Sequence, residues 1–237
     1  MTFVYQKSNM NPLVAQSYDS FLLSKEYCES SDSIKASWYG EHWSEFYLKL
    51  DARWKEFLTS PGYALENFRQ SKYLSAGLDD SINQIYKEQD LINLINLAPP
   101  GYVESCLTEI NIGNCPYLQE YNNKFYDDQV YGLIYYLLNI KNSYFNNISS
   151  PSDLFCCEIG GGFGEMARLI LQDTNCKYQI IDLPEANTLS TYYLGSHFPN
   201  KKLFTYKDYL NSGSVVSEEV VADFDIFILP PGCNYSS

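Results

Sequence analysis

Glu158, Gly160, Gly161, Gly162 and Gly164 crowd into one short run, Cys156-Cys157-Glu158-Ile159-Gly160-Gly161-Gly162-Phe163-Gly164-Glu165. Their types suit a charged small molecule held against bare backbone. Glycine allows positive φ and lets a ligand come close to the main chain. An acid at a strand end, a glycine turn and a helix start form the nucleotide-cofactor cradle of open α/β sheets. The spacing separates one cofactor from another. A dinucleotide fingerprint is Gly-x-Gly-x-x-Gly, and counting from Gly160 puts Glu165 where the last glycine would stand. A second acid follows at Asp182, about 20 residues past the loop, where such a residue meets a ribose hydroxyl. Asp182 also precedes Leu183-Pro184, a good helix start. Ribose partner and helix cap are compatible roles.

Positioning those residues requires strands that alternate with helices. Leu154 to Ile159 reads as the first strand, with a helix from about Gly164 to Gln172. Tyr178 to Ile181 reads as the second, followed by a helix from about Pro184 to Gly195. Lys202 to Tyr206 and Phe224 to Leu229 give the third and fourth. This alternation implies an α/β fold with a parallel sheet, whose ligands bind beyond the C-terminal strand ends. Glu158, the glycine loop, Asp182 and Asp208 all fall at such ends. Ahead of this unit the pattern is helical. Trp43, Phe46, Tyr47, Leu50, Trp54, Phe57 and Leu58 form one amphipathic stripe, and Tyr126, Val130, Leu133, Ile134, Leu137 and Leu138 another. Ile82, Ile85, Tyr86 and Gln89 suggest a short helix between them. The polar linker from Asn146 to Ser152 separates a helical region, 1–145, from a cofactor-binding region, 146–237.

Composition narrows the partners. The net charge of −13 argues against nucleic acid, which needs a basic footprint. With 45% hydrophobic and 19% charged residues, the chain is expected to be globular rather than disordered. Its start has no signal-peptide core, and no apolar run is long enough to span a bilayer, so cytoplasmic residence is expected. The seven cysteines are scattered without a Cys-x-x-Cys pair, which argues for free thiols and against zinc. No His/Asp/Glu cluster with ligand spacing is visible, and Glu185 with Asp182 is too little for a metal site.

The run Glu158-Ile-Gly-Gly-Gly-Phe-Gly164 resembles motif I of class I S-adenosylmethionine (SAM) methyltransferases. Together with Tyr178-Gln-Ile-Ile-Asp-Leu-Pro-Glu-Ala186, Tyr192-Tyr193-Leu194 and Asp225-Ile-Phe-Ile-Leu-Pro-Pro231, it is similar to a bacterial family of sugar O-methyltransferases. The resemblance implies a Rossmann-like sheet that holds SAM. Glu158 would meet its cationic amino end, Gly160 to Gly164 its body, and Asp182 with Leu183 its ribose. Asp208 would lie near the adenine, although it also reads as a helix cap or turn residue. The N-terminal region would sit on the cap or substrate side.

Class I methyltransferases resemble one another in a seven-stranded sheet ordered 3-2-1-4-5-7-6. This chain carries the 3-2-1-4 part, so the C-terminal half of the sheet is expected to be missing. Ile226-Phe227-Ile228-Leu229 then becomes an exposed edge, which favours self-association. Methyl transfer to a small-molecule or glycan hydroxyl needs in-line alignment and can use a general base. Of the two histidines, His197 is expected at the bottom of the sheet, away from the loop. His42, beside Trp43, is the remaining candidate base. Three functions stay open: a SAM-dependent sugar O-methyltransferase, a SAM-binding module without turnover, and a nucleotide-dependent oxidoreductase that the glycine spacing disfavours.

Overall fold

A computed structural model describes residues 10–30, 59–70, 92–116, 118–126 and 130–236 of the chain. The stripe from Trp43 to Leu58, the helix expected around residues 82–89, and His42 lie outside the described residues. Helix α1 (Pro12–Ser30) buries Val14, Ser17, Tyr18, Phe21, Ser24 and Cys28, whose steps of three and four place them on one face. Helix α2 (Pro61–Glu66) opens with proline, whose missing N–H has no partner to lose at a helix start. After the short α3 (Tyr102–Cys106) the chain makes a hairpin, β1 (Gln119–Tyr121) against β2 (Lys124–Tyr126). Asn122 and Asn123 turn it with φ of 50° and 61°, as a two-residue hairpin turn requires. The N-terminal region is therefore not wholly helical. Tyr126 belongs to β2, and the helix expected to include it, α4 (Val130–Ser143), begins after it.

The parallel sheet follows as β3 (Phe155–Ile159), β4 (Lys177–Ile181), β5 (Leu203–Thr205) and β6 (Ile226–Leu229). Between them run α5 (Glu165–Thr174), α6 (Pro184–His197), α7 (Tyr206–Asn211) and α8 (Glu218–Asp223). Asn175, at φ 54°, closes α5 in the left-handed conformation that ends many helices. Ser217 caps α8 by accepting from the Val220 N–H.

The strand order is β3-β4-β6-β5. In the order of the chain this is first, second, fourth, third, and not the expected 3-2-1-4. The fourth strand is interior, paired on one side with β4 and on the other with β5. Its side chains explain why. Ile226 and Ile228 enter one hydrophobic cluster, while Phe227 and Leu229 enter the cluster on the opposite face. An unbroken apolar run suits a parallel strand covered on both faces. The self-associating fourth-strand edge is thereby removed. The edges are β3 and β5, and β3 alternates: Phe155 and Ile159 are 39% and 70% exposed, while Cys156 and Glu158 are half-buried.

One core joins the N-terminal elements to the sheet unit. Val14, Phe21, Leu65, Phe68, Ile134 and Leu137 pack in the same cluster as Ala167, Tyr193, Leu194 and Ile226. Helix α1 lies along α6, so closely that a Cβ on Gly195 would stand 2.5 Å from Leu13 Cδ1. No helix among the described residues is long and apolar enough to cross a membrane.

A buried ion pair fastens the two regions. Arg168, 1% exposed, donates from Nη2 to Glu165 Oε1 at 2.6 Å and to the Cys106 carbonyl at 3.0 Å. Its Nη1 reaches Gln172 Oε1 at 3.0 Å, and Gln172 Nε2 donates to the Ser105 carbonyl at 2.6 Å. Tyr193 donates its hydroxyl to Glu165 Oε2. Burial pushes the Glu165 carboxyl upward, but Arg168 outweighs it and holds the group below its ordinary range. Removing one member of such a pair strands a buried charge, at about 3–5 kcal/mol. Arg168→Met should therefore lose that much stability in urea unfolding, and Arg168→Met with Glu165→Gln should recover a large part. Near-equal stability of Arg168→Met and wild type would show that the pair does not hold the core.

Candidate functional site

The glycine loop leaves β3 and enters α5 at the C-terminal end of the sheet. Its start is pinned to the neighbouring strand, since the Gly160 N–H donates to the Ile181 carbonyl at 2.9 Å. Gly160 and Gly162 adopt φ of 78° and 58°, a region that costs other residues strain. A Cβ on either would meet nothing within 4 Å. The two positive-φ residues thus turn bare backbone toward open space. Gly161 is glycine for a different reason: its Cβ would stand 2.9 Å from Ile180 Cγ2 and 3.1 Å from Glu158 Oε2. Gly164, the N-cap of α5, lies tight against Leu194.

Asp182 binds this loop directly. Its Oδ2 accepts from the Gly162 N–H at 2.8 Å, and its Oδ1 accepts from the Leu183 N–H at 2.7 Å. The Asp182 carbonyl accepts from Asn187 Nδ2 at 2.8 Å. The helix cap proper is Leu183, whose side chain is buried. An ionised carboxylate offers about four lone-pair sites, so Asp182 retains acceptor capacity beyond these two bonds. Glu158 lies on the same flank and accepts from the Tyr178 hydroxyl at 3.0 Å. Burial raises its pKa, partly offset by Tyr178 and reinforced by the Asp182 charge. Burial likewise raises that of Asp182, against the two N–H bonds. Two close carboxylates, both costly to ionise, favour a ligand that brings positive charge or hydroxyl donors.

The surroundings are rich in acceptors. Glu185, in the first turn of α6, is buried and ion-paired with Lys25 of α1. Burial disfavours the Lys25 cation, but Glu185 outweighs it and raises the pKa. Among the described residues no donor reaches Glu185 Oε2 or Asn187 Oδ1, both buried. No group of three or more His, Cys, Asp or Glu residues among those described is arranged for a metal ion.

Asp208 does not join this constellation. Its Oδ2 accepts from the Thr205 N–H at 2.8 Å and from Thr205 Oγ1 at 2.7 Å, closing a capping box at the start of α7. β5 stands at the far side of the sheet, so Asp208 is three strand spacings from β3, about 14 Å. His197 ends α6 at the opposite, N-terminal end of the strands, lining a shallow cleft with Asn175, Phe198 and Lys201. Burial, helped by the Arg168 charge, pulls its pKa down to about 4, which leaves a neutral ring far from the loop.

Comparison with family models, characterised proteins and solved structures found no match. The chemistry of the site follows from its own geometry. Lys25, Tyr178 and Asn187 are the residues that sequence reasoning missed. Tyr178 carried a signal, since it opens the second strand and alternates with Ile180 on the face Glu158 shares. Lys25 carried none, being 160 residues from Glu185.

The raised Asp182 pKa has a pH signature. Between the ordinary value of 3.8 and the raised one, the folded state binds more protons than the unfolded state. Its contribution to stability is thus complete below the ordinary value and is lost as pH rises through the folded one. The stability difference between wild type and Asp182→Asn, from urea unfolding, should move against wild type as pH rises above the ordinary value of 3.8. A difference that does not vary with pH would remove the cost of ionising Asp182.

Proposed function

We propose that this chain binds SAM at the Gly160–Gly164 loop and transfers its methyl group to a sugar hydroxyl. The observation that carries this reading is the Asp182 carboxylate, bonded to Gly162 N–H at 2.8 Å beside a glycine backbone that faces open space. Asp182 has acceptor capacity left for the two ribose hydroxyls. Glu158 supplies negative charge for the amino end of the cofactor, and a cation there relieves the repulsion between the two acids. SAM contributes a sulfonium-bound methyl group open to in-line displacement by an oxygen nucleophile. The sugar acceptor is taken from the motif resemblance, since fold alone does not name a substrate. The dinucleotide reading is disfavoured at Glu165, whose carboxylate is buried against Arg168 where that fingerprint needs a glycine.

Binding without turnover is the second reading, and two observations favour it. The strand order differs from that of class I methyltransferases, and Asp208 lies across the sheet from the loop. No histidine among the described residues stands at this rim.

Calorimetric titration should show binding of SAM and of its demethylated product, and none of NAD. Hydrogen bonds to a charged partner contribute about 1.5–3 kcal/mol, so Asp182→Ala should weaken SAM roughly tenfold or more. Gly162→Val should abolish binding while circular dichroism stays native, because the β-branched side chain covers the backbone and strains a φ of 58°. Absence of SAM binding to the folded wild-type chain would sink the cofactor assignment. Binding without transfer of a labelled methyl group to sugar acceptors would select the second reading.

A further inference from the structure

Two of the free cysteines stand sulfur to sulfur. Cys156 Sγ and Cys176 Sγ are 3.6 Å apart, the first on β3 and the second on the residue before β4. The two strands are in parallel register with Cys156 opposite Tyr178. Cys176 precedes Tyr178 by two residues, so both thiols project from the same sheet face. Their environments differ. Cys156 is half-buried on an edge strand, while Cys176 is only 1% exposed. Asn175, at φ 54°, sets the turn that brings Cys176 back to the sheet, and its Oδ1 accepts from Lys201 Nζ at 2.6 Å. That bond parks an ammonium group beside the pair.

We propose that Cys156 and Cys176 are a peroxide-sensitive dithiol that closes to a disulfide across the first two strands. In the neutral pair Cys176 Sγ donates to Cys156 Sγ; when Cys176 ionises the bond reverses, and Cys156, with help from Thr174 and Lys201, draws the Cys176 pKa down against burial. The same bond and burial raise that of Cys156. The attacking and resolving roles are thereby divided. The Cys176 thiolate attacks one oxygen of hydrogen peroxide, breaking the O–O bond, and the departing hydroxide takes a proton to leave as water. The Cys176 sulfenic acid that remains is attacked by the Cys156 sulfur. The S–S bond forms, the S–O bond breaks, and the Cys156 proton leaves with the oxygen as a second water. Two thiols lose two electrons and one peroxide is reduced to two waters, with no other reactant. Sγ contact is already made at 3.6 Å, so closure needs a further approach of less than 2 Å to reach a bond of about 2.05 Å, taken up by the backbone of the Asn175–Cys176 turn because Cys176 sits two residues off the position paired with Cys156. The pair lies on the two strands that carry the glycine loop, with Tyr178 between it and Glu158, and its chemistry calls on no ligand at that loop.

The test treats the folded chain with hydrogen peroxide, alkylates it in denaturant, and maps the peptides by mass spectrometry. The expected product is one cross-linked peptide pair joining Cys156 to Cys176, lighter by two hydrogen atoms and restored by dithiothreitol. Buried Cys28, Cys106 and Cys115 should remain alkylatable. In Cys156→Ser, Cys176 should stop at the sulfenic acid and be trapped by dimedone. In Cys176→Ser, a conservative change, the rapid phase of peroxide consumption should fall at least tenfold with near-ultraviolet circular dichroism unchanged. The proposal is overturned if Cys156 and Cys176 are both alkylated after peroxide. It is equally overturned if Cys156 pairs instead with Cys157, or if the dimedone adduct in Cys156→Ser falls on another cysteine.

Discussion

Ile226 to Leu229 are four consecutive apolar side chains, each 0–1% exposed, and a strand of that kind needs cover on both faces and partners along both edges. The sheet meets this demand by seating β6 between β4 and β5. Much else follows from that placement. One face of β6 completes the core shared with the N-terminal helices, and the other is closed by Phe204, Tyr206, Tyr209 and Val216. With the centre so occupied, β3 has neighbours on one side only among the described residues. The glycine loop therefore projects from an edge strand of the sheet, where nothing among the described residues stands within 4 Å of a Cβ built on Gly160 or Gly162.

The chemistry at that loop is a compromise between burial and charge. Asp182 fixes the loop by accepting from Gly162, and the same burial that sharpens this bond makes its anion expensive. Glu158 stands under the same constraint, with Tyr178 compensating in part. Lys25 neutralises Glu185 next to them and anchors α1 to the rim. The result is an acidic, acceptor-rich patch stiffened by backbone bonds rather than by a mobile side chain, a form suited to holding a cationic or polyhydroxylated ligand.

Much of the β3-to-β6 unit is legible in the sequence because its signals are local. Glycines at 160, 162 and 164, Pro184 after Asp182, and the apolar runs of each strand set element limits that the structure matches within a few residues. That Asp182 and the loop share one rim is legible as well, since both follow strand ends; the bond from the Gly162 N–H to Asp182 is not. Strand order is not local. It depends on which faces find cover, and the fully apolar Ile226 to Leu229 run argued for a central position that the resemblance-based order denied it. The β1–β2 hairpin was hidden by Tyr126, which extends the helical spacing of Val130 and Ile134 although Asn122-Asn123 breaks the chain just before it. Lys25 owes its role to Glu185, 160 residues away, and the bond of Arg168 to the Cys106 carbonyl spans 62; at such separations periodicity carries no information.

Helix α1 has a consequence for how the protein is made. Its partners come late: Lys25 meets Glu185 after 160 residues, and Ser20 meets the Tyr206 N–H after 186. Translation at about 5–20 residues per second leaves roughly 10–30 s between the emergence of α1 and that of the helices that cover it. Throughout that interval the apolar face of Val14, Tyr18 and Phe21 has no native docking surface on α6. The same close fit at Gly195 and Leu13 that later locks α1 in place cannot form any sooner. Formation of this core thus waits on contacts of high sequence separation, the kind that slow folding, and until α6 has been made the apolar face of α1 must stay solvated or find non-native cover.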